Sequence, residues 1–226
     1  MKTIGLFLGA MLAFSLVACG DGGSGSGGGG TGGSTATGGT TASGGSTGGS
    51  TSTGGSTGGS GGAVDCDTYC TEIAANCTGD NEQYVNADAC KGVCATFDPG
   101  TAADMSGATL GCRIYHGGTP AQGDAATHCP HAGPLGGGAC GDDCANFCTI
   151  AMAVCGSQAT PPYADAAACM TACSGFADTK TVPYNSAASS GDSLACRMYH
   201  LSVAASSSAN AMTHCPHIAE TSSTCM

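Results

Sequence analysis

The sequence contains no tryptophan and little charge, and basic residues are especially scarce. Of its 226 residues, 9% are charged and 5% are aromatic; five Lys and Arg stand against sixteen Asp and Glu, a formal net charge of −11. A surface of this charge repels phosphate groups, so we expect no nucleic-acid partner. A large enzyme domain is also disfavoured, because a glycine-rich stretch leaves only residues 63–226 to form a core.

Several catalytic and cofactor motifs are absent as well. The chain has no C-x-x-C, no C-x-x-C-H, no H-E-x-x-H and no Walker loop, which removes thioredoxin-like, c-type haem, metalloprotease and P-loop chemistry. The G-x-S-x-G pattern occurs only within the glycine-rich stretch, as at 44–48, where no strand or helix is expected to flank it. No nucleophile stands beside a base, and we therefore expect a protein that is not an enzyme.

The N-terminus has the composition of an export signal. Lys2 supplies one positive charge, and the residues from Ile4 to Val17 are almost wholly apolar. This run is short for a membrane span and fits the hydrophobic region of a signal peptide, which we predict over residues 1–18. Export agrees with the 17 cysteines, which would be reactive thiols in a reducing compartment.

The apolar run ends in Leu16-Val17-Ala18-Cys19. This tetrapeptide, directly after an apolar run, resembles the lipobox of bacterial lipoproteins; the resemblance covers only the start of the chain. It implies cleavage before Cys19, a diacylglyceryl group on its sulfur and usually an acyl chain on its new amino group, and thus a stable membrane anchor. Gly20 in place of Asp implies sorting to the outer membrane of the cell envelope. The alternative is an ordinary secretory signal in which Cys19 is incidental.

A low-complexity segment follows the lipobox. Between Gly20 and Gly62, 22 of the residues are glycine and 18 are serine or threonine. Such a composition cannot bury enough apolar surface to offset the entropy of ordering, so we predict a lipidated Cys19 and a disordered linker over 19–62.

The remainder of the chain is a tandem repeat, predicted over 63–140 and 141–226. Without Cys19, the cysteines form two sets of eight in the same order. The first set is Cys66, Cys70, Cys77, Cys90, Cys94, Cys112, Cys129 and Cys140; the second is Cys144, Cys148, Cys155, Cys169, Cys173, Cys196, Cys215 and Cys225. Two further motifs recur in register, CRIYH as CRMYH and THCPH in both copies. The domain is therefore duplicated.

The residue pattern of each repeat predicts a mostly helical structure. The cysteines and apolar residues after Asp65 recur at helical spacing, and no alternating apolar run indicates a strand. Predicted N-caps precede the helices: Asp65 and Asp143 for the first, Asn86 and Asp165 for the second, and Asp124 and Asn210 for the last. We therefore expect a mostly α protein with two small disulfide-stapled helical domains in tandem after a disordered tether.

All sixteen cysteines are expected in disulfide bonds within their own repeats, because about 80 residues with few large apolar side chains make a thin core. If the first helix ends near Cys77 and the second begins near Ala87, antiparallel packing favours four bridges. They are Cys70–Cys94, Cys77–Cys90, Cys148–Cys173 and Cys155–Cys169. The other four cysteines of each repeat can pair in three ways.

All six histidines lie in the two repeated motifs. They are His116, His128 and His131 in the first repeat and His200, His214 and His217 in the second. Three imidazoles per repeat are able to bind Zn²⁺ or Cu²⁺ with one position left open, and these ions are the only candidate cofactors. We nevertheless favour a structural role for the histidines and expect no cofactor. A variant of this hypothesis binds the ion with Cys112, His116, Cys129 and His131, but an even number of cysteines in an oxidising compartment favours disulfides over thiolates.

The structural alternative needs no metal. Tyr115 would fill the core, Arg113 would pair with a carboxylate, and each histidine would bond carbonyl groups at helix ends.

Two functions therefore remain open. The first, which we favour, is a lipid-anchored binding or structural module of the cell envelope, held to the membrane through Cys19, with an unidentified envelope or extracellular ligand. The second is a metal-binding lipoprotein that uses the six histidines.

Overall fold

The structure of the chain, a computed structural model, describes residues 63–177 and 183–226. This part of the chain holds nine α-helices, two short 3₁₀ turns (Gly79–Asn81 and Cys215–Ile218) and no strand. The helices are α1 Cys66–Asn76, α2 Ala87–Cys94, α3 Leu110–Gly117, α4 Thr119–Gly123, α5 Ala125–Ala132, α6 Asp143–Cys155, α7 Ala166–Cys173, α8 Leu194–Ala205 and α9 Ser208–His214. The predicted mostly α, disulfide-stapled fold is confirmed.

The predicted signal peptide (1–18), the lipidated Cys19 and the linker (19–62) lie outside the described residues. Within the described ranges, every helix is too short or too polar to cross a bilayer.

Side-chain caps set the starts of the helices. Asp65, Asn86, Asp124 and Asp165 accept the backbone N–H three residues ahead, as the sequence predicts. Two predicted caps are wrong. Asp142 caps α6 while Asp143 is already helical, and Ser207 caps α9, which places Asn210 inside that helix. In both cases a capping residue closer to the N-terminus takes this role, so the helix begins earlier and has more backbone hydrogen bonds.

Eight disulfides join the sixteen cysteines, so the prediction of disulfide bonding is confirmed. In the first repeat they are Cys66–Cys94, Cys70–Cys90, Cys77–Cys129 and Cys112–Cys140. In the second they are Cys144–Cys173, Cys148–Cys169, Cys155–Cys215 and Cys196–Cys225. The two repeats therefore share one connectivity.

The four predicted bridges are wrong in register, although the first two helices of each repeat are cross-linked as expected. Helix α2 begins beside the middle of α1, because the connection over 77–86 returns along α1 before α2 starts. Cys90 therefore meets Cys70, two helical turns earlier on α1 than the predicted Cys77. Cys77, at the end of α1, instead forms a disulfide with Cys129 on α5.

The two repeats lie in one compact unit, with α2 packed against α8. Their approach is close: a β-carbon built on Gly92 would lie 2.0 Å from the carbonyl oxygen of Ala205. A second contact is polar, since the Ser186 N–H donates to the Glu82 carbonyl at 2.7 Å and the Ser186 hydroxyl to the Glu82 carboxylate at 2.8 Å. The repeats thus pack as one body.

Candidate metal centre

Helix α3 positions the first histidine of the first repeat. Thr109 caps this helix by accepting the N–H of Cys112. Cys112 and His116 are four residues apart and so share a face, and the Cys112–Cys140 disulfide fixes that face against the following loop. His116 is buried as a result, with 7% of its surface exposed. Helix α8 holds His200 in the same way, with Ser193 as its cap.

The other two histidines flank a disulfide-bonded cysteine. His128 and His131 lie on α5 on either side of Cys129, which is joined to Cys77 at the end of α1. The Tyr69 hydroxyl donates to the carbonyl of Ala132 at 2.8 Å and so ties the end of α5 to α1. In the second repeat, where Phe147 replaces Tyr69, the tyrosine that corresponds to Tyr84, Tyr163, donates to the carbonyl of Ile218. The His-bearing segment is therefore held covalently and by a buried hydrogen bond in both copies.

The structure brings the three histidines of each repeat together. In the first repeat, one ring nitrogen of each of His116, His128 and His131 lies within 4.8 Å of the others. The Nδ1 atoms of His116 and His128 are 2.9 Å apart, and their rings stack with centroids 5.1 Å apart. Nδ1 of His131 is buried and has no hydrogen-bond partner.

The second repeat builds the same cluster with three Nδ1 atoms. Nδ1 of His200 lies 2.9 Å from Nδ1 of His214 and 3.3 Å from Nδ1 of His217. Because the two repeats differ in most of their other residues, the shared arrangement follows from the motifs that carry the histidines.

A backbone carbonyl fixes the tautomer of the central histidine. Nε2 of His116 lies 3.2 Å from the carbonyl oxygen of Met105, and Nε2 of His200 lies 3.3 Å from that of Ser189. A carbonyl only accepts, so Nε2 must donate, and in a neutral ring Nδ1 then carries a free lone pair directed at the cluster. Metal-binding histidines are oriented in this way by the hydrogen bond of their second nitrogen.

Burial favours the neutral form of four of the six imidazoles. Desolvation and the neighbouring rings lower the pKa of His131, and desolvation lowers the pKa of His116 against the opposing effect of the Met105 carbonyl. Desolvation, with His217 as a second cause, lowers the pKa of His200 to about 4. Desolvation also lowers the pKa of His214. Neutral imidazole is the form that binds metal ions.

Cysteine ligation is ruled out by the pairing. Cys112 and Cys129, required by the Cys/His variant of the hypothesis, are both in disulfide bonds. The sulfur atoms of Cys112 and Cys140 lie within 4.8 Å of a ring nitrogen of His116, but as a disulfide they supply no thiolate. The candidate ligands are therefore the histidines alone.

Two elements of the structural alternative are wrong. Tyr115 leaves 38% of its surface exposed, so it does not fill the core. Arg113 is fully buried without an ion pair; it donates to the carbonyls of Cys140 and Pro134 and stacks 4.1 Å over the ring of Phe97. A buried guanidinium with five donors is well matched to loop carbonyls.

Arg197 plays the same part in the second repeat. It donates to the carbonyls of Ala219 and Glu220 and stacks over Phe176, and it also forms an ion pair of 2.9 Å with Asp192. The two arginines thus hold the C-terminal loop of each repeat against the helix that bears His116 or His200.

Sequence reasoning missed two kinds of residue. The carbonyl groups of Met105 and Ser189 carry no signal, since any residue supplies a carbonyl. Glu72, which lies outside the histidine cluster, is a further residue that sequence reasoning missed, although it stands where the second repeat has Ile150.

Comparison with known proteins matches the first repeat. Residues 64–143 match the model of the BfoA family C-terminal domain. Bifonsecin B biosynthesis cluster protein A of Aspergillus brasiliensis is 43% identical over 77 residues, 34% of this chain and 26% of that protein. Aurasperone B biosynthesis cluster protein A of Aspergillus niger is 42% identical over 77 residues, 34% of this chain and 25% of that protein. The chain thus spans about a quarter of the length of these curated relatives. No solved structure matches.

These matches correct the expectation drawn from the lipobox. The relatives are fungal biosynthesis cluster proteins and the matching family model is the BfoA domain, so the identification as a bacterial lipoprotein is wrong. The predicted function as a membrane-anchored module of the cell envelope is wrong on the same finding. The physical reason is specificity: four residues after an apolar run arise by chance far more easily than an 80-residue pattern of cysteines and histidines.

Proposed function

We propose that each repeat is a mononuclear metal-binding module, so that one chain binds two divalent ions through two sets of three histidines. The ligands would be His116, His128 and His131 in the first repeat and His200, His214 and His217 in the second. Imidazole suits Zn²⁺ and Cu²⁺, and Cu²⁺ is expected to bind more tightly.

The convergence of three Nδ1 atoms in the second repeat carries this proposal. Nδ1 of His200 has one in-plane lone pair, which accepts one N–H well, yet His214 and His217 both direct Nδ1 at it. Hydrogen bonding alone therefore leaves one nitrogen unsatisfied. A metal ion about 2.0–2.1 Å from each nitrogen would place tetrahedral ligands about 3.3 Å apart, close to the observed 2.9 and 3.3 Å.

Three protein ligands leave an open position on a four-coordinate ion, as in catalytic rather than structural zinc sites. We infer that this position exchanges an external ligand. The relatives' names associate them with biosynthesis clusters, and a small organic molecule with an oxygen donor is the occupant that we propose here. Azide added to the Cu²⁺-loaded protein should produce a ligand-to-metal absorption band if the position is open, and no band if it is closed.

The stoichiometry tests the proposal. Full-length protein with its disulfides intact should retain two Cu²⁺ or Zn²⁺ ions per chain after dialysis, measured by elemental analysis. His128→Ala should reduce this to one ion, and the double variant with His214→Ala to none. Cu²⁺ resonance spectra should show hyperfine splitting from imidazole nitrogens.

Thr127→Ala and Thr213→Ala are matched controls, because both threonines are exposed neighbours of the substituted histidines on the same helices. Both controls should keep two ions. Two ions in the double histidine variant, or none in the folded wild type, would contradict the proposal and favour a purely structural role for the clusters.

A further inference from the structure

A pocket lies beside α3, lined by residues other than the histidines, and only the first repeat has the residues to form it. It has a volume of about 140 Å³ and lies between the second half of α1, the residue Val64 before that helix, the end of α3 and the start of α4. Its walls are mostly apolar, with Val64, Ile114 and Pro120 among them, and Tyr115 and Glu72 add an aromatic ring and a carboxylate.

The carboxylate of Glu72 is the only charge in the lining, and nothing in the described residues neutralises it. Its Oε2 is buried without a hydrogen-bond donor, beside Gly118. Desolvation raises the pKa of this carboxyl group, so keeping it ionised in the pocket costs free energy. A partly buried acidic group with one buried, unpartnered oxygen in a cavity is typical of a ligand site.

The second repeat supplies an internal comparison. By the cysteine register, Glu72 corresponds to Ile150, Ile114 to Met198 and Gly118 to Ser202. These three replacements are fully buried. Helix α8 also continues to Ala205, whereas α3 stops at Gly117. The second repeat therefore folds with an apolar residue at the position of Glu72, and the fold does not require the carboxylate.

We propose that this pocket binds a small organic cation, a primary amine carried on an apolar or aromatic body. Its ammonium group would neutralise Glu72, its body would contact Val64 and Ile114, and the ring of Tyr115, 38% exposed, would offer a face to the cation. The net charge of −11 would draw such a ligand toward the protein. This site shares no ligand with the histidine cluster, although the ring of Tyr115 packs edge-on against the ring of His116, with centroids 5.1 Å apart.

Titration of the full chain with benzylammonium, followed by heteronuclear NMR, tests the proposal. Signals of Ile114, Tyr115, Gly118 and Thr119 should shift, while those of the corresponding residues in the second repeat should not. Benzyl alcohol, which has the same body without the charge, should bind about tenfold more weakly or worse, because a charge-assisted hydrogen bond is lost.

Two variants separate recognition from folding. Glu72→Gln keeps the shape and should weaken benzylammonium binding about tenfold or more while leaving binding of benzyl alcohol unchanged. Glu72→Ile reproduces the second repeat and should abolish binding of both, with the fold retained. Equal affinity for the amine and the alcohol, an unchanged affinity in Glu72→Gln, or no shifts at millimolar benzylammonium would each overturn the proposal.

Discussion

Replacing Asp143 with asparagine should stabilise the protein at neutral pH. Asp143 is the first residue of α6, where a negative charge normally gains from the helix dipole. Here, burial of the carboxyl group outweighs that gain and, with the neighbouring Asp142, raises its pKa to about 6. One of its oxygens, Oδ1, is buried with no partner. The N–H of Gly137 and the charge of Arg113 oppose the shift without cancelling it.

The sign of the pH dependence follows from the raised pKa. Below about pH 4 the carboxyl group is protonated in both folded and unfolded chains and carries no penalty. The penalty grows as the pH rises from about 4 to about 6, because the unfolded chain ionises first, and it is constant above that. The rise in the pKa of Asp143 from 3.8 to about 6 corresponds to a loss of about 3 kcal/mol in the free energy of unfolding. Solvent screening of this half-buried group reduces the loss to about 1 kcal/mol.

Asp143→Asn should therefore raise the melting temperature by about 2–4 °C at pH 7 and leave it unchanged near pH 4. The assay is thermal unfolding followed by circular dichroism, with the disulfides intact. Asp88→Asn is the control: Asp88 is exposed in the first turn of α2, so its loss should be neutral or slightly destabilising at pH 7. A less stable Asp143→Asn variant, or an equal gain at both pH values, would refute the argument.

Three further predictions concern packing and the metal. Gly92→Ala should lower the free energy of unfolding, measured with denaturant, by about 1–3 kcal/mol, because its methyl group would clash with Ala205 of the other repeat. Gly123→Ala is the control and should leave the free energy of unfolding unchanged, because a methyl group there would lie in open space. Arg113→Lys should cost about 1–3 kcal/mol in the same assay, since lysine loses both the two-carbonyl fork and the stacking on Phe97; a variant as stable as wild type would contradict this. Saturating Cu²⁺ or Zn²⁺ should raise the melting temperature reversibly, about 2.7 kcal/mol per site at a hundredfold excess over Kd, and an unchanged temperature would count against both sites.

The sequence predicts the local structure well, because caps and cysteine spacing act over short distances. Asp65 and Asn86 identify the starts of α1 and α2 without any knowledge of packing. The register of the disulfides cannot be predicted from such local signals. It depends on the path of the connection over 77–86, and a displacement of two turns along α1 moves Cys90 from Cys77 to Cys70. Neither composition nor periodicity encodes that path.

The candidate site was predicted in part, for a similar reason. Repetition of the CRxYH and THCPH motifs singled out all six histidines, and the fold brings each set of three together. Metal binding itself stays a prediction. The role of Arg113 depends on carbonyl groups that only the folded loop presents. Glu72, however, could have been found by aligning the two repeats, since it is an acidic residue opposite an apolar one.

The histidine clusters are unlike the rest of the core in what they contribute to folding. Eight disulfides and the apolar contacts of the helices already hold each repeat together, and burying three imidazoles whose nitrogens converge adds a cost that hydrogen bonds do not fully offset. A local arrangement that opposes stability, built twice with the same 2.9 Å separation of two Nδ1 atoms, is expected where function requires it. The pocket at Glu72 shows the opposite case, because the second repeat replaces it with Ile150 and keeps its fold. The scaffold is thus free to lose an unneeded polar group, and the fact that both copies keep three histidines favours a metal ion over packing as their reason.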